Sequence, residues 1–305
     1  MLRFRSMTFF TLVNPSMKNG GLYAYSKSEI LSKVDPDFRP KEIIIKEFHC
    51  MSDLNLELKK NGFQYPIIIK PDKGERGKGV YYIQNAEQMP LNDSLEDYIV
   101  QEYIDLPLEI GIFYIKIPGK KKGQITSLMK RELLKVIGNG KTNVEQLLNS
   151  DPRKKQYIET VGKFYRGLLE KIPGQDEEIV IEPVGNHNRG TVFLDYNHKI
   201  NEKLCSTIDH LIKDVPGFYY GRLDIRTASW NDLYSGKNLK VLEINGMNSE
   251  PAHIYQPGYS IFKAYKVIFE HWNLAYKIAR ENKKKGLKAE SFTKTLSAYL
   301  AYLRN

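Results

Sequence analysis

The chain has 305 residues, 41% hydrophobic and 27% charged, enough for one large domain or two to three lobes with a substantial core. Its net charge of +10 favours anionic partners without choosing among nucleotide phosphates, nucleic acid, acidic peptides and anionic lipid, and much of it lies in solvated runs such as PGKKKG and ENKKKG. Two cysteines, Cys50 and Cys205, without metal-type spacing argue against a disulfide framework and fit a reducing cytoplasm, and no apolar stretch reaches the length of a membrane span.

The opening, MLRFRSMTFFTLV, sets basic residues before a short apolar run but has no small-residue cleavage site. It reads as a first β-strand over residues 8–13, not a signal peptide. A Gly-Gly turn follows, then a helix in AYSKSEILSKV, where Ser26 and Glu29 stand at capping-box spacing. Next comes YPIIIKPDKGERGKGVYYI, residues 65–83. An apolar strand ends on Lys70, a basic glycine loop follows, and a second β-rich run starts at once. Gly74, Gly77 and Gly79 allow close backbone approach, and consecutive N–H groups in such a loop can cradle phosphate oxygens. Lys70 would add a fixed point charge for an α- or β-phosphate. The plainer reading of the same loop is a turn.

DSLEDYIVQEYID gives a strand and EIGIFYIKIPG another, with Glu102 and Glu109 seven residues apart around Pro107. A strand leaving beside an adenine offers backbone groups to its edge, and a carboxylate on the next strand can take ribose hydroxyls. GQITSLMKRELLKVIGNG reads as a third strand with a turn, and the segment from TNVEQLL to LLEKI as helical. EIVIEPVGNHNRGTVFLDYN returns to strands and a polar loop, and NEKLCSTIDHLIKDV is a helix. FYYGRLDIRTASW and LKVLEING are strands, and strand side chains alternate faces. Arg222 and Asp224 therefore share one face, opposed by Leu223 and Ile225; Glu243 and Asn245 share another, opposed by Leu242 and Ile244. Asp, Glu and Asn together are hard oxygen donors suited to Mg²⁺ shared with substrate phosphates. The alternative is that they are outward polar residues on amphipathic strands. A long amphipathic helix follows, with Ile261, Phe262, Tyr265, Ile268, Phe269 and Trp272 read as core-packing. A shorter one closes the chain, its stripe of Phe292, Leu296, Tyr299, Leu300 and Leu303 expected to pack on the same lobe. Interleaved helices and strands without strict βαβ repetition point to an α+β fold with antiparallel sheets.

Taken in order, the lysine, the glycine loop, QEYI with its following Glu, GRLDIR and LEIN resemble the ATP-grasp superfamily, and most of all its D-alanine–D-alanine ligase branch of carboxylate–amine ligases. The resemblance covers residues 20–275. It implies an ATP-grasp fold, two α+β lobes clasping ATP: a reduced N-terminal segment (1–46), a small lobe with the glycine hairpin (47–101), a large lobe with the metal site (102–280) and a helical tail (281–305). It implies that Lys27 and Lys70 touch ATP phosphates under a loop of Gly74, Gly77, Lys78 and Gly79. Gln101, Glu102, Tyr103 and Ile104 become the hinge that reads adenine, and Glu109 the ribose ligand. Asp224, Glu243 and Asn245 become the metal ligands, for Mg²⁺ or Mn²⁺, and Arg222 steadies the transferred phosphoryl group.

KRELLKVIGNGKTNVEQLL resembles a segment of cyanophycin synthetase and related amino-acid ligases, and NHNRGTVFLD resembles their polar N-x-x-R-G loop. This makes His187, Asn188 and Arg189 candidates to hold an acyl group, with Arg189 joining Arg222 and Lys70 as catalytic candidates. His253 reads equally well as a structural histidine. Two features depart from the ligase pattern. About 46 residues stand where those ligases carry a complete α/β domain, and NGMNSEPAHIY replaces their NTSPGMT. The implied reaction is ATP-dependent ligation of a small-molecule or peptide carboxylate to an amine through an acyl phosphate. A small-molecule kinase and a non-catalytic ATP-binding regulator are the alternatives. No nucleic-acid-binding motif stands out. A homodimer stays open, as does a peripheral membrane contact, which is not favoured.

Overall fold

The computed structural model of the chain describes residues 6–46, 51–74, 77, 79–88, 98–185 and 187–304. The chain divides into two compact units, Met1–Lys130 with Asp195–Asn305, and Arg131–Leu194. The expected lobe boundary at 101/102 lies inside the larger unit.

The larger unit holds two antiparallel sheets. The first is ordered β1-β4-β2-β3, from β1 (Glu42–Ile45), β4 (Tyr98–Glu102), β2 (Ile67–Pro71) and β3 (Tyr81–Ile83). Period-two alternation divides its faces. Ile67, Ile69, Ile83 and Val100 pack with Leu54 and Leu58 of helix α2 (Met51–Lys60). Burying each such side chain contributes roughly 1.5–3 kcal/mol. The opposite face carries Lys70 of β2, with Ile68, Gln101 and Glu42 aligned across three strands.

The second sheet runs β11-β10-β5-β6 in this unit, from β11 (Leu239–Asn245), β10 (Tyr220–Thr227), β5 (Leu108–Ile115) and β6 (Gln124–Glu132). Ile110, Ile112, Leu223, Ile225, Val241 and Ile244 form its main core with α5 (Glu202–Leu211), α6 (Trp230–Ser235) and α1 (Lys27–Leu31). On the other face Phe113, Ile115 and Tyr220 meet Phe9, Leu12 and Val13 and the Ala275, Ile278 and Ala279 side of α7 (Ile261–Lys284). α8 (Phe292–Arg304) follows, tied down where the Tyr23 hydroxyl donates to the Thr295 carbonyl at 2.8 Å. No helix among the described residues is long and apolar enough to cross a membrane.

The chain enters the smaller unit within β6 and leaves it within β9 (Val192–Asp195). There β7 (Lys135–Asn139) pairs with β8 (Gln175–Val180), and Leu134, Val136 and Ile181 pack with α3 (Val144–Asn149) and α4 (Ile158–Phe164). Asn143 and Gln146 cap α3 reciprocally.

Three expectations are corrected. Residues 8–13 are no strand: Phe9–Leu12 form a 3-10 helix, because Phe9, Leu12 and Val13 bury together at helical spacing and the Thr8 hydroxyl donates to the Glu290 carbonyl at 2.6 Å. The helical reading from TNVEQLL to LLEKI holds only in pieces. Asp151 turns the chain by accepting from the Arg153 N–H, and Pro152 cannot continue α3. The apolar stripe at the start of α7 is not core. Ile261, Phe262, Tyr265, Phe269 and Trp272 are exposed, and the buried face of α7 begins only at His271.

His271 carries a pH expectation. Its Nδ1 lies 2.8 Å from the Val267 carbonyl and must donate to it, so Nε2 accepts from the Thr126 hydroxyl at 2.9 Å. Burial pushes its pKa below the ordinary histidine value, with the Val267 bond and nearby Glu270 opposing. The unfolded chain then binds a proton that the folded state refuses. Stability is full above about pH 6.5 and falls as pH drops toward the folded pKa. Thermal melts from pH 7.5 to 5 are expected to show this loss, and His271→Gln is expected to flatten it while lowering stability at pH 7.5. An unaltered slope in the variant would remove His271 from the effect.

Candidate active site

The site starts from a break in the ladder between β10 and β11. Asp224 faces Glu243, but the next pair is Ile225 with Val241, so Leu242 bulges out. Without the bulge, Val241 would share the polar face of Glu243 and Asn245. With it, Val241 is fully buried and the Leu242 carbonyl turns to the other sheet. Lys70 Nζ donates to that carbonyl at 3.3 Å and Gln101 Nε2 at 3.2 Å. Leu242 is thus not simply an apolar counterface to Glu243, as strict alternation suggests.

Asp224 is buried and held bidentately by Arg222, Nε to Oδ1 at 2.7 Å and Nη2 to Oδ2 at 3.1 Å. Asn245 Nδ2 reaches Asp224 Oδ2 at 3.3 Å, and its Oδ1 accepts from the Tyr25 hydroxyl at 3.1 Å. Lys27 Nζ pairs with Glu243 at 3.1 Å. Helix α1 sets that lysine. Ser26 accepts from the Glu29 N–H, and Asp72, just beyond β2, accepts from both the N–H and the hydroxyl of Ser28. Lys70 also stands 3.9 Å from Glu42, whose Oε1 takes Gln101.

Three cations and three carboxylates therefore crowd one region. Burial pushes the Glu243 carboxyl up, yet the charges of Lys27, Lys70 and Arg222 overcome it and hold it down to about 2. Burial lowers the Lys70 ammonium against the pull of Glu42 and Glu243, and raises the Glu42 carboxyl against that of Lys70. Two carboxylates at one cross-strand position, with an amide oxygen two pairs along on the same face, make a hard-oxygen set that suits Mg²⁺. Among the described residues no cluster of three or more His, Cys, Asp or Glu suits a metal.

The strip behind Asn245 is equally constrained. The N–H groups of Met247 and Asn248 donate to the carbonyls of Gly20 and Gly21. A Cβ on Gly246 would stand 2.7 Å from Gly21 Cα, so this crossing needs glycine. The Gly-Gly pair, a mere turn by sequence, is the partner of the NGM segment.

A second group forms farther along the same face. Arg226 donates to Glu109 Oε2 from Nε at 3.1 Å and Nη2 at 2.9 Å, and to the Ile104 carbonyl from Nη1 at 2.6 Å. Its guanidinium lies 4.9 Å from the Tyr103 ring centre, and Tyr103 meets Tyr82 edge-on. Tyr103, Ile104 and Glu109 thus converge on a residue that the sequence reading passed over. The signal was present: Arg226 is two residues beyond Asp224 on one strand face. Glu102 points elsewhere, its exposed carboxylate accepting from the Lys41 N–H. Gly77 and Gly79 both adopt a φ of +71°, and a Cβ on Gly79 would press on Pro71. Gly74 lies in the same loop. Lys78 lies outside the described residues.

His253 is buried, its Nδ1 2.7 Å from the Ser127 hydroxyl, with its pKa lowered by that burial. Arg189 belongs to the smaller unit, where Nη1 stands 3.4 Å from Glu182. Burial raises the Glu182 carboxyl, opposed by Arg189. Asn188 is exposed, and the His187 side chain lies outside the described residues.

Comparison with known proteins adds to this geometry. Residues 19–112 match the tubulin-tyrosine ligase family. Over 161 residues, half of this chain and 44% of the relative, the sequence is 30% identical to a D-alanine–D-alanine ligase of Petrotoga mobilis (strain DSM 10674 / SJ95). Over 75 residues, 24% of this chain and 8% of the relative, it is 37% identical to tubulin polyglutamylase TTLL7 of Homo sapiens. The chain spans less than half the length of either. Among solved structures, the D-alanine–D-alanine ligase from Coxiella burnetii is 9% identical, covers 92% of this chain and 62% of its own, and gives a TM-score of 0.44. Sequence likeness to two kinds of ligase and the order of basic and acidic groups along the antiparallel sheets place the chain in the ATP-grasp superfamily.

Proposed function

We propose that the protein is an ATP-dependent carboxylate–amine ligase. The observation that carries this reading is the meeting of Lys27 and Lys70 with the Asp224–Glu243–Asn245 group along β11. Polyphosphate brought there meets two fixed ammonium groups and the Arg222 guanidinium. Mg²⁺ would be held by Asp224, Glu243 and Asn245, and when bound it offsets charge on the phosphates. A carboxylate oxygen attacks the γ-phosphorus and ADP leaves, giving an acyl phosphate. An amine nitrogen then attacks the acyl carbon, phosphate leaves, and the nitrogen loses a proton. Lys70 and Arg222 counter the negative charge that develops during transfer. The likeness to a D-alanine–D-alanine ligase and to a polyglutamylase supports a carboxylate donor and an amine acceptor.

The test is ADP release from Mg-ATP across a panel of amino acids and short peptides, with hydroxylamine present. ADP release that depends on a carboxylate, with hydroxamate accumulating, is the expected result. A phosphorus-containing product stable to hydroxylamine would instead make the protein a kinase.

A further inference from the structure

The exposed start of α7 has a chemistry of its own. Phe262 is 83% exposed and Phe269 66%, with Ile261, Tyr265 and Trp272 also open. At helical spacing these five fall within an arc of about 100°. Trp272 is steadied edge-on by Phe9. Lys266, exposed, borders the arc on the Phe262 side. The line through Tyr265, Phe269 and Trp272 then continues down the helix as Arg280 and Lys283. Here the tip of the β5–β6 hairpin joins it: Lys120, Lys277 and Arg280 line one open cleft, and the Lys285 ammonium lies close to Gly119. Two segments distant in sequence thus extend one aromatic face into a strongly basic one. Glu281, which also lines the cleft, is paired with Lys284 at 2.8 Å and stands 3.7 Å from Arg280, and exposed Glu270 stands one turn from Lys266.

We infer that this face of α7 docks on an anionic lipid surface. An acidic peptide would match the basic half and leave the aromatic rings in water. A second copy of the chain would cover the rings and leave the cations unmatched. A lipid surface of negative headgroups above an apolar interior satisfies both at once, with Phe262 and Phe269 entering the acyl boundary and lysine and arginine at headgroup level. The face is made of residues other than those proposed to contact nucleotide, so its test needs no turnover.

The full chain is sedimented with vesicles of phosphatidylcholine alone and with about a third phosphatidylserine. Binding to the anionic vesicles at low salt, and release near about 0.5 M salt, are expected. Phe262→Ser with Phe269→Ser should weaken that binding at least about fivefold. Lys277→Glu with Arg280→Glu should abolish it, and melting curves should show both double variants folded. Failure of the wild-type chain to pellet with anionic vesicles would overturn the inference. So would unweakened binding by the folded aromatic variant. Self-association lost in that variant, without vesicle binding, would assign the face to a second copy and overturn it too.

Discussion

Replacing Glu243 with glutamine is expected to lower turnover by at least about a hundredfold while weakening ATP binding less. The amide keeps the shape of the side chain and one oxygen donor. It removes the charge that Lys27, Lys70 and Arg222 hold ionised down to about pH 2. Lys27, 3.1 Å away, loses its partner and becomes free to attract phosphate, which tends to preserve nucleotide affinity. The charge available to hold Mg²⁺ against two phosphates falls instead. Steady-state turnover and nucleotide titration, each run across a Mg²⁺ series, separate the two effects. The variant should need more Mg²⁺ for its residual activity. Near-normal turnover at ordinary Mg²⁺ would remove Glu243 from the metal site.

What the sequence disclosed depended on the range of the interaction. Period-two alternation put Asp224, Glu243 and Asn245 on polar faces, and Leu223, Ile225 and Ile244 are fully buried against them. Alternation could not reveal the bulge at Leu242, which depends on pairing with another strand. Arg226 was passed over for a similar reason. Its partner Glu109 is a cross-strand neighbour 117 residues away, and only the register between β5 and β10 brings them together. The Gly20–Gly21 pair looked like any turn until its carbonyls met Met247 and Asn248. Residues 8–13 misled because a short apolar run fits either a strand or a helical turn. The start of α7 misled in another way. Helical spacing of aromatics identifies an apolar face but not what covers it, and here full burial on the helix starts only at His271, with Ile268 half-buried before it. The sequence was most legible in the faces of β10 and in side chains set by local capping, such as Ser26 ahead of Lys27.

Removing Lys70 should separate its structural part from its chemical one. Lys70→Met leaves Glu42 buried without its cation, and loss of one member of a buried pair costs about 3 kcal/mol of stability. Glu42→Gln alone leaves the buried Lys70 ammonium with only Glu243 to oppose its desolvation strongly. The double variant, Lys70→Met with Glu42→Gln, has neither buried charge, and Gln101 still reaches the Leu242 carbonyl. It should recover most of the stability and none of the turnover, because the proposed phosphate contact is still missing. The pH dependence has a definite sign. Burial already raises the Glu42 carboxyl, and loss of Lys70 removes the charge that opposes this rise. The folded variant then holds a proton that its unfolded chain releases. Its stability is best preserved at acidic pH and falls as pH rises through the folded value. Denaturant melts of Lys70→Met at pH 5 and pH 8, beside the double variant, test this directly. A stability loss independent of pH, or turnover restored in the double variant, would detach Lys70 from Glu42 in the first case and from phosphate in the second.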